Sequence, residues 1–182
     1  MTIDELIKRY NAELPTVDEI RYKSQAVGLG YATKEEALIR QKGMLLKKKK
    51  SPQTRFNNLI EELILTTNIS ETGGGSLHFF SSFEELSGKK TFCTLAGVYD
   101  VFLDESGKIY AIDWELGELT CVCPSDKIFI KVLGDYMIKN KNFIYKNIPV
   151  VSWDIQNLEK ILEDEECFEF FHRLYRELMQ KW

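Results

Sequence analysis

The order of apolar and polar positions changes character once along the chain, near Gly73. Before it, apolar residues recur at helical spacing; after it, they alternate. "TIDE" at 2–5, "TVDE" at 16–19 and "TKEE" at 33–36 each set Thr three residues ahead of Glu. In such a box the Thr oxygen accepts from the amide of the third helical residue, and the Glu reaches back to the Thr amide. Three helix starts are predicted there. Pro15 breaks the chain ahead of the second box. "VGLGY" at 27–31 parts helices two and three, its glycines permitting left-handed backbone. The run "KKKKSP" is predicted to end the third helix, since lysines in a last turn suit the helix dipole. Ser51 with Pro52 predicts a fourth helix, in which Phe56, Leu59, Ile60, Leu63 and Ile64 share a face. "SETGGGS" at 70–76 reads as a flexible loop.

Beyond the glycines the period falls to two. "SLHFFS" (76–81), "TFCTLA" (91–96), "VYDVFLD" (98–104), "KIYAIDW" (108–114) and "LTCVC" (119–123) are predicted strands of one antiparallel sheet, with "SFEEL" as a helical turn after the first. "DESGK" supplies a hairpin turn with Gly107 left-handed. "SDKIFIKVLGDYMIK" (125–139) opens on a Ser cap and is amphipathic, so it is expected to lie on the sheet. "NFIYKNIPVVSW" is predicted to be irregular or a short edge strand, and 152–182 to form one interrupted helix or two. The predicted class is α+β. It consists of N-terminal helices over 1–70, a sheet of four or more mainly antiparallel strands with a packed helix over 77–139, and C-terminal helices over 152–182, in one domain of 182 residues.

Composition adds that the chain is ordinary for a folded protein, at 44% hydrophobic and 29% charged residues, so extensive disorder is not expected. Charge is uneven. Residues 1–60 hold 12 Lys and Arg against 7 Asp and Glu; residues 61–182 hold 12 against 21. Neither a secretory pattern at the first residues nor an apolar run of about 20 residues is present, so a cytoplasmic protein without membrane spans is expected. Cys93, Cys121, Cys123 and Cys167 all fall in apolar runs and are expected to be reduced, buried and free of metal. "CVC" lacks the spacing of a zinc knuckle.

Candidate chemistry is sparse. Only two histidines occur, and a Cys93–His78 pair on neighbouring strands has no supporting signature; no catalytic residue is assigned. "VGLGYA" and "ETGGGS" lack the Gly-Lys-Ser/Thr ending of a phosphate loop, so no cofactor is expected. Residues 16–43 have the outline of a helix-turn-helix, but Glu35 and Glu36 at the start of its second helix meet phosphates badly; an αα-hairpin is the simpler reading. The acidic run has more content. Asp100, Asp104, Glu105, Asp113, Glu115, Glu118 and Asp126 lie around two successive turns. Asp100 and Asp113 interrupt apolar strands, where a carboxylate costs stability unless exposed or paired. In a hairpin closed around 105–107 the two are expected near one another on one face.

The stretch "LAGVYDVFLDESGKIYAIDWELGELTCVCPSDKIFIKVL" resembles the SUKH superfamily, which includes bacterial immunity proteins and a fungal cell-wall-synthesis regulator. Gly97 opens a strand, Gly107 turns before Ile109 and Tyr110, and a helix beginning in Ser closes the unit. The resemblance covers about 77–139. It implies a non-enzymatic protein that neutralises a cognate toxin domain, often a nuclease. Nucleases are commonly basic, and an acidic face steers association with a basic partner. The expectation is therefore an immunity-type binder using Asp100, Asp104, Glu105, Asp113, Glu115 and Glu118 as its contact face. The alternative is a nucleic-acid-associated regulator using the basic N-terminal helices.

Overall fold

The computed structural model describes residues 1–30, 32–51, 53–86 and 88–179. All three Thr–Glu boxes are formed. Thr2 caps α1 (Ile3–Ala12), Thr16 caps α2 (Val17–Ala26) and Thr33 caps α3 (Lys34–Met44), each with the reciprocal Glu hydrogen bond in place. α2 and α3 form the expected αα-hairpin.

The next segment departs from expectation. α3 stops at Met44, and the lysines follow it as extended chain instead of forming its last turn. Lys48 forms an antiparallel bridge with Thr67, the Lys49 amide donates to the Thr66 carbonyl, and the Lys47 amide donates to Asn68 Oδ1. The run thus satisfies the carbonyl end of the next helix instead of its own. That helix, α4 (Leu59–Thr66), begins seven residues later than the Ser-Pro signal suggests; Pro52 itself lies outside the described residues. Asn58 is its cap, accepting from the Glu61 amide at 2.8 Å, and Asp126 Oδ2 accepts from the Leu59 amide at 2.7 Å. Phe56 precedes the helix.

The glycine run is not a flexible tether. It follows a short helix, α5 (Ile69–Thr72), and is packed tightly. A Cβ on Gly74 would stand 2.7 Å from the Phe79 ring, and one on Gly75 would stand 2.9 Å from the Tyr136 ring. Glycine is there because no side chain fits.

Five strands follow as an antiparallel meander in the order β1-β2-β3-β4-β5: β1 (Leu77–Leu86), β2 (Lys89–Leu95), β3 (Tyr99–Leu103), β4 (Ile109–Asp113) and β5 (Leu119–Cys123). "SFEEL", expected as a helical turn, is the second half of β1 and pairs with β2 through an irregularity between Phe79 and Glu84. α6 (Asp126–Lys146) starts at the predicted Ser125 cap but runs to Lys146, through residues read as irregular; Asn147 ends it in the left-handed conformation. α7 (Ser152–Leu162), a 3-10 turn (Glu165–Cys167) and α8 (Phe168–Glu177) complete the chain.

One continuous apolar core reaches from Ile3 to Leu178. Phe92 meets Phe129 of α6 edge-on at 5.4 Å. α1 crosses α6 at Gly134, where a Cβ would come within 2.8 Å of Leu6. Asp135 ties three helices together, accepting from Tyr175 at 2.8 Å and pairing with Arg9 at 3.2 Å. Among the described residues no helix is long and apolar enough to cross a membrane.

The thiols divide. Cys93 and Cys123 are free and buried, as expected, and burial pushes both well above the usual thiol range. Cys121 and Cys167, expected to be reduced, form a disulfide between β5 and the 3-10 turn. They are 46 residues apart, and only the docking of the C-terminal segment on β5 brings them together.

Candidate functional site

The sheet register decides where each acidic side chain goes. Paired residues in an antiparallel sheet share a face. Asp100 pairs with Ile112, and Asp113 pairs with Tyr99. The two aspartates therefore stand on opposite faces, not together as expected. The alternation along each strand is as read; the register between the strands reverses the conclusion.

Asp113 belongs to the helix-covered face. Its Oδ1 accepts from the Glu115 amide at 2.8 Å and the Leu116 amide at 3.0 Å. The Leu116 and Glu115 amides, the Tyr99 hydroxyl and the Arg173 charge hold its carboxyl below the usual range, against the opposing effect of burial. Arg173 of α8 in turn donates to the Tyr99 hydroxyl and lies over its ring at 5.3 Å. Asp113 is thus the keystone of the β4–β5 turn.

Asp100 sits at the centre of a row on the other face. His78, Thr94, Asp100, Ile112 and Leu119 are successive register partners across all five strands. His78 and Leu119 are exposed at the two edges, yet Asp100 is only 5% exposed, and its Oδ1 is buried with no hydrogen-bond partner. Cys93 pairs with Phe79 and His78 pairs with Thr94, so these two side chains also point to opposite faces and form no nucleophile–base pair.

The remaining carboxylates separate by strand length. Successive turns of a meander lie at opposite ends of the sheet. The five residues of β4 put roughly 16 Å between them at ~3.3 Å per residue. Asp104 and Glu105 are at one end. Asp104 Oδ1 accepts from the Ser106 hydroxyl at 2.7 Å and the Lys108 amide at 2.8 Å. Burial works against its charge, but these bonds together with the Ser106 and Gly107 amides bring its carboxyl below the usual range. Lys108 leaves this turn to pair with Asp164 and Glu166, each at 3.2 Å. The turn also borders a cavity of about 700 Å³, whose other walls are the start of α4 and the β1–β2 hairpin.

Glu115 and Glu118 are at the other end, exposed to solvent. Between and beside them stand Trp114, Leu116 and Leu119, exposed by 56%, 70% and 58%. The Trp114 amide donates to the Val98 carbonyl, which brings the β2–β3 turn and the exposed Val98 alongside. Sequence reasoning singled out the glutamates here and passed over the apolar residues, which it placed only within predicted strands. Asp126 belongs to neither group, since it caps α4.

The six residues expected to make one contact face are therefore distributed over two ends and two faces of the sheet. Comparison of the chain with known protein families, curated proteins and solved structures finds no match in any of the three.

Proposed function

We propose that the chain is a binding protein of the immunity type, which neutralises a basic toxin domain through the end of the sheet formed by the β4–β5 turn. The observation that carries this reading is the set of exposed apolar side chains at Trp114, Leu116 and Leu119, flanked by the solvated carboxylates of Glu115 and Glu118. A large apolar group left in water on a pinned turn calls for a partner. Tryptophan is among the residues that most often anchor protein interfaces, and charges at the rim govern encounter rate and selectivity. Asp113, Tyr99 and Arg173 hold the turn, so little ordering remains for the moment of binding. The resemblance of 77–139 to the SUKH superfamily supports the same assignment.

The test is parallel capture from the native organism with wild type, W114A/L116A and E115Q/E118Q as bait, followed by binding kinetics against the toxin domain recovered. W114A/L116A is expected to weaken binding by roughly 30-fold or more, chiefly through faster dissociation. E115Q/E118Q is expected to slow association at low salt and to match wild type at high salt. Unaltered kinetics in both variants would remove this surface from the reading.

A further inference from the structure

The bridge between β5 and the 3-10 turn has a carboxylate at its side that the disulfide does not use. Asp164 stands three residues before Cys167 and caps the 3-10 turn that carries it. A carboxylate oxygen of Asp164 and the Sγ atoms of Cys121 and Cys167 all lie within 4.8 Å of one another. Docking of the turn on β5 assembles the three, so no ligand spacing around Cys121 and Cys123 announces them in the sequence. Both sulfurs are buried, whereas the Asp164 side chain is 30% exposed and is the member of the group that water reaches. One Asp164 oxygen accepts from the Glu166 amide at 3.1 Å, and the other pairs with Lys108 at 3.2 Å. A carboxylate oxygen has two lone pairs, so each keeps one for a further partner. Lys108 is held by Glu166 as well, at 3.2 Å, and does not depend on Asp164 for its place.

We propose that, once the bridge is reduced, Cys121, Cys167 and Asp164 bind one divalent cation of the zinc type. Exchange with a dithiol opens the bridge. The dithiol leaves as its own disulfide, and its electron pair and two protons pass to the two sulfurs. The incoming ion displaces those protons and takes both thiolates and the Asp164 carboxylate, with water in the fourth position. Zinc accepts three protein ligands and one open place. Thiolates select such an ion over magnesium or calcium, which take oxygen. Bonds of about 2.3 Å set two sulfurs of a tetrahedral site roughly 3.8 Å apart. Rotation of the freed side chains reaches that separation, because their Cα atoms are only 4.5 Å apart. Charge closes as well. Two thiolates and one carboxylate exceed the charge of the ion by one, and the Lys108 ammonium beside Asp164 offsets the excess. The 3-10 turn is then held on β5 in both redox states, by a covalent bond in one and by the ion in the other.

The experiment uses the full chain without an affinity tag, oxidised or reduced by a dithiol that is then removed under inert gas. The probe is Co²⁺ alone, followed by Zn²⁺. Reduced wild type is expected to bind one Co²⁺ with a thiolate-to-cobalt charge-transfer band, which Zn²⁺ abolishes. Thiols ordinarily titrate near 8.5, so about two protons should be released per ion in weakly buffered solution at pH 7. C121A/C167A retains Cys93 and Cys123 and is expected to show no band. Oxidised wild type should show none either, and it is a folded control that carries no substitution. D164N should weaken binding at least as much as the roughly tenfold that loss of a ligand's supporting partner costs. Circular dichroism reports the fold throughout. Absence of the band in reduced wild type, folded or not, would overturn the proposal. So would a band that persists in the oxidised chain or in C121A/C167A, or a D164N variant that binds as tightly as wild type. None of these results bears on the Trp114 surface.

Discussion

The 104–108 turn and the 113–118 turn are near twins in sequence and unlike in the folded protein. Each opens on an aspartate, has a second acid directly or two residues on, and contains one glycine with positive φ. In each the aspartate does the same local work, accepting backbone amides to close the turn. Beyond that they diverge. The first is tied through Lys108 to the 3-10 turn and borders a cavity whose opposite wall is basic. The second is tied through Asp113 to Tyr99 and Arg173 and pushes two large apolar groups, Trp114 and Leu116, into water beside the exposed Leu119. Equal local chemistry has been placed against different surroundings, and the surroundings set the role. A carboxylate of the first turn borders a cavity; a carboxylate beside an exposed tryptophan is the rim of a contact surface.

The largest test of this contrast is the disulfide. It holds the 3-10 turn on β5, and the same 3-10 turn receives Lys108. C121A/C167A is expected to cost about 2–4 kcal/mol in denaturant unfolding, as for a bridge closing a loop of this order. Hydrogen exchange should quicken at 104–108 and remain slow at 113–118, where the anchor is Arg173. Titration of the unfolded, unreduced wild type should find two thiols, Cys93 and Cys123, and not four.

The turn aspartates come next. D104A is expected to cost about 1 kcal/mol, the usual value of the hydrogen bonds it loses. D113N should lower the midpoint of thermal unfolding further than D104N, because it also loses its place beside Tyr99 and Arg173. The pH dependence has a definite sign. A carboxyl depressed below its ordinary value of 3.8 stabilises the fold fully above that pH and ceases to do so as pH falls through the folded value. Wild type should therefore lose stability on going from pH 5 toward pH 2, and D113N should lose less over the same interval. Equal slopes would show that Asp113 is not the keystone of its turn.

The smallest effects belong to the outward glutamates. E105Q, E115Q and E118Q should each leave stability within about 0.5 kcal/mol of wild type, the usual result for exposed positions. A larger change at Glu105 alone would mean that it is engaged across the cavity it borders.

The sequence by itself determined whatever rests on neighbours a few residues apart. The three Thr–Glu boxes, the Ser125 cap, the αα-hairpin, the change to a two-residue period and the Gly107 turn all follow from local hydrogen bonding and sterics, and all are present. Tertiary structure decided the rest, wherever a group's partner is distant along the chain. The lysine run reads as a helix end until Thr66 and Asn68 take its amides. The Ser-Pro start of α4 yields to Asn58, helped by Asp126 from 67 residues away. Three glycines read as slack until Phe79 and Tyr136 are seen to leave no room for a Cβ on Gly74 and Gly75. The disulfide joins residues that share no local motif. Of the candidate site, the residue types were legible and the arrangement was not. A period of two tells which residues of one strand share a face but not how that face aligns with the next strand. That alignment separated Asp100 from Asp113, and the length of β4 separated the two acidic turns.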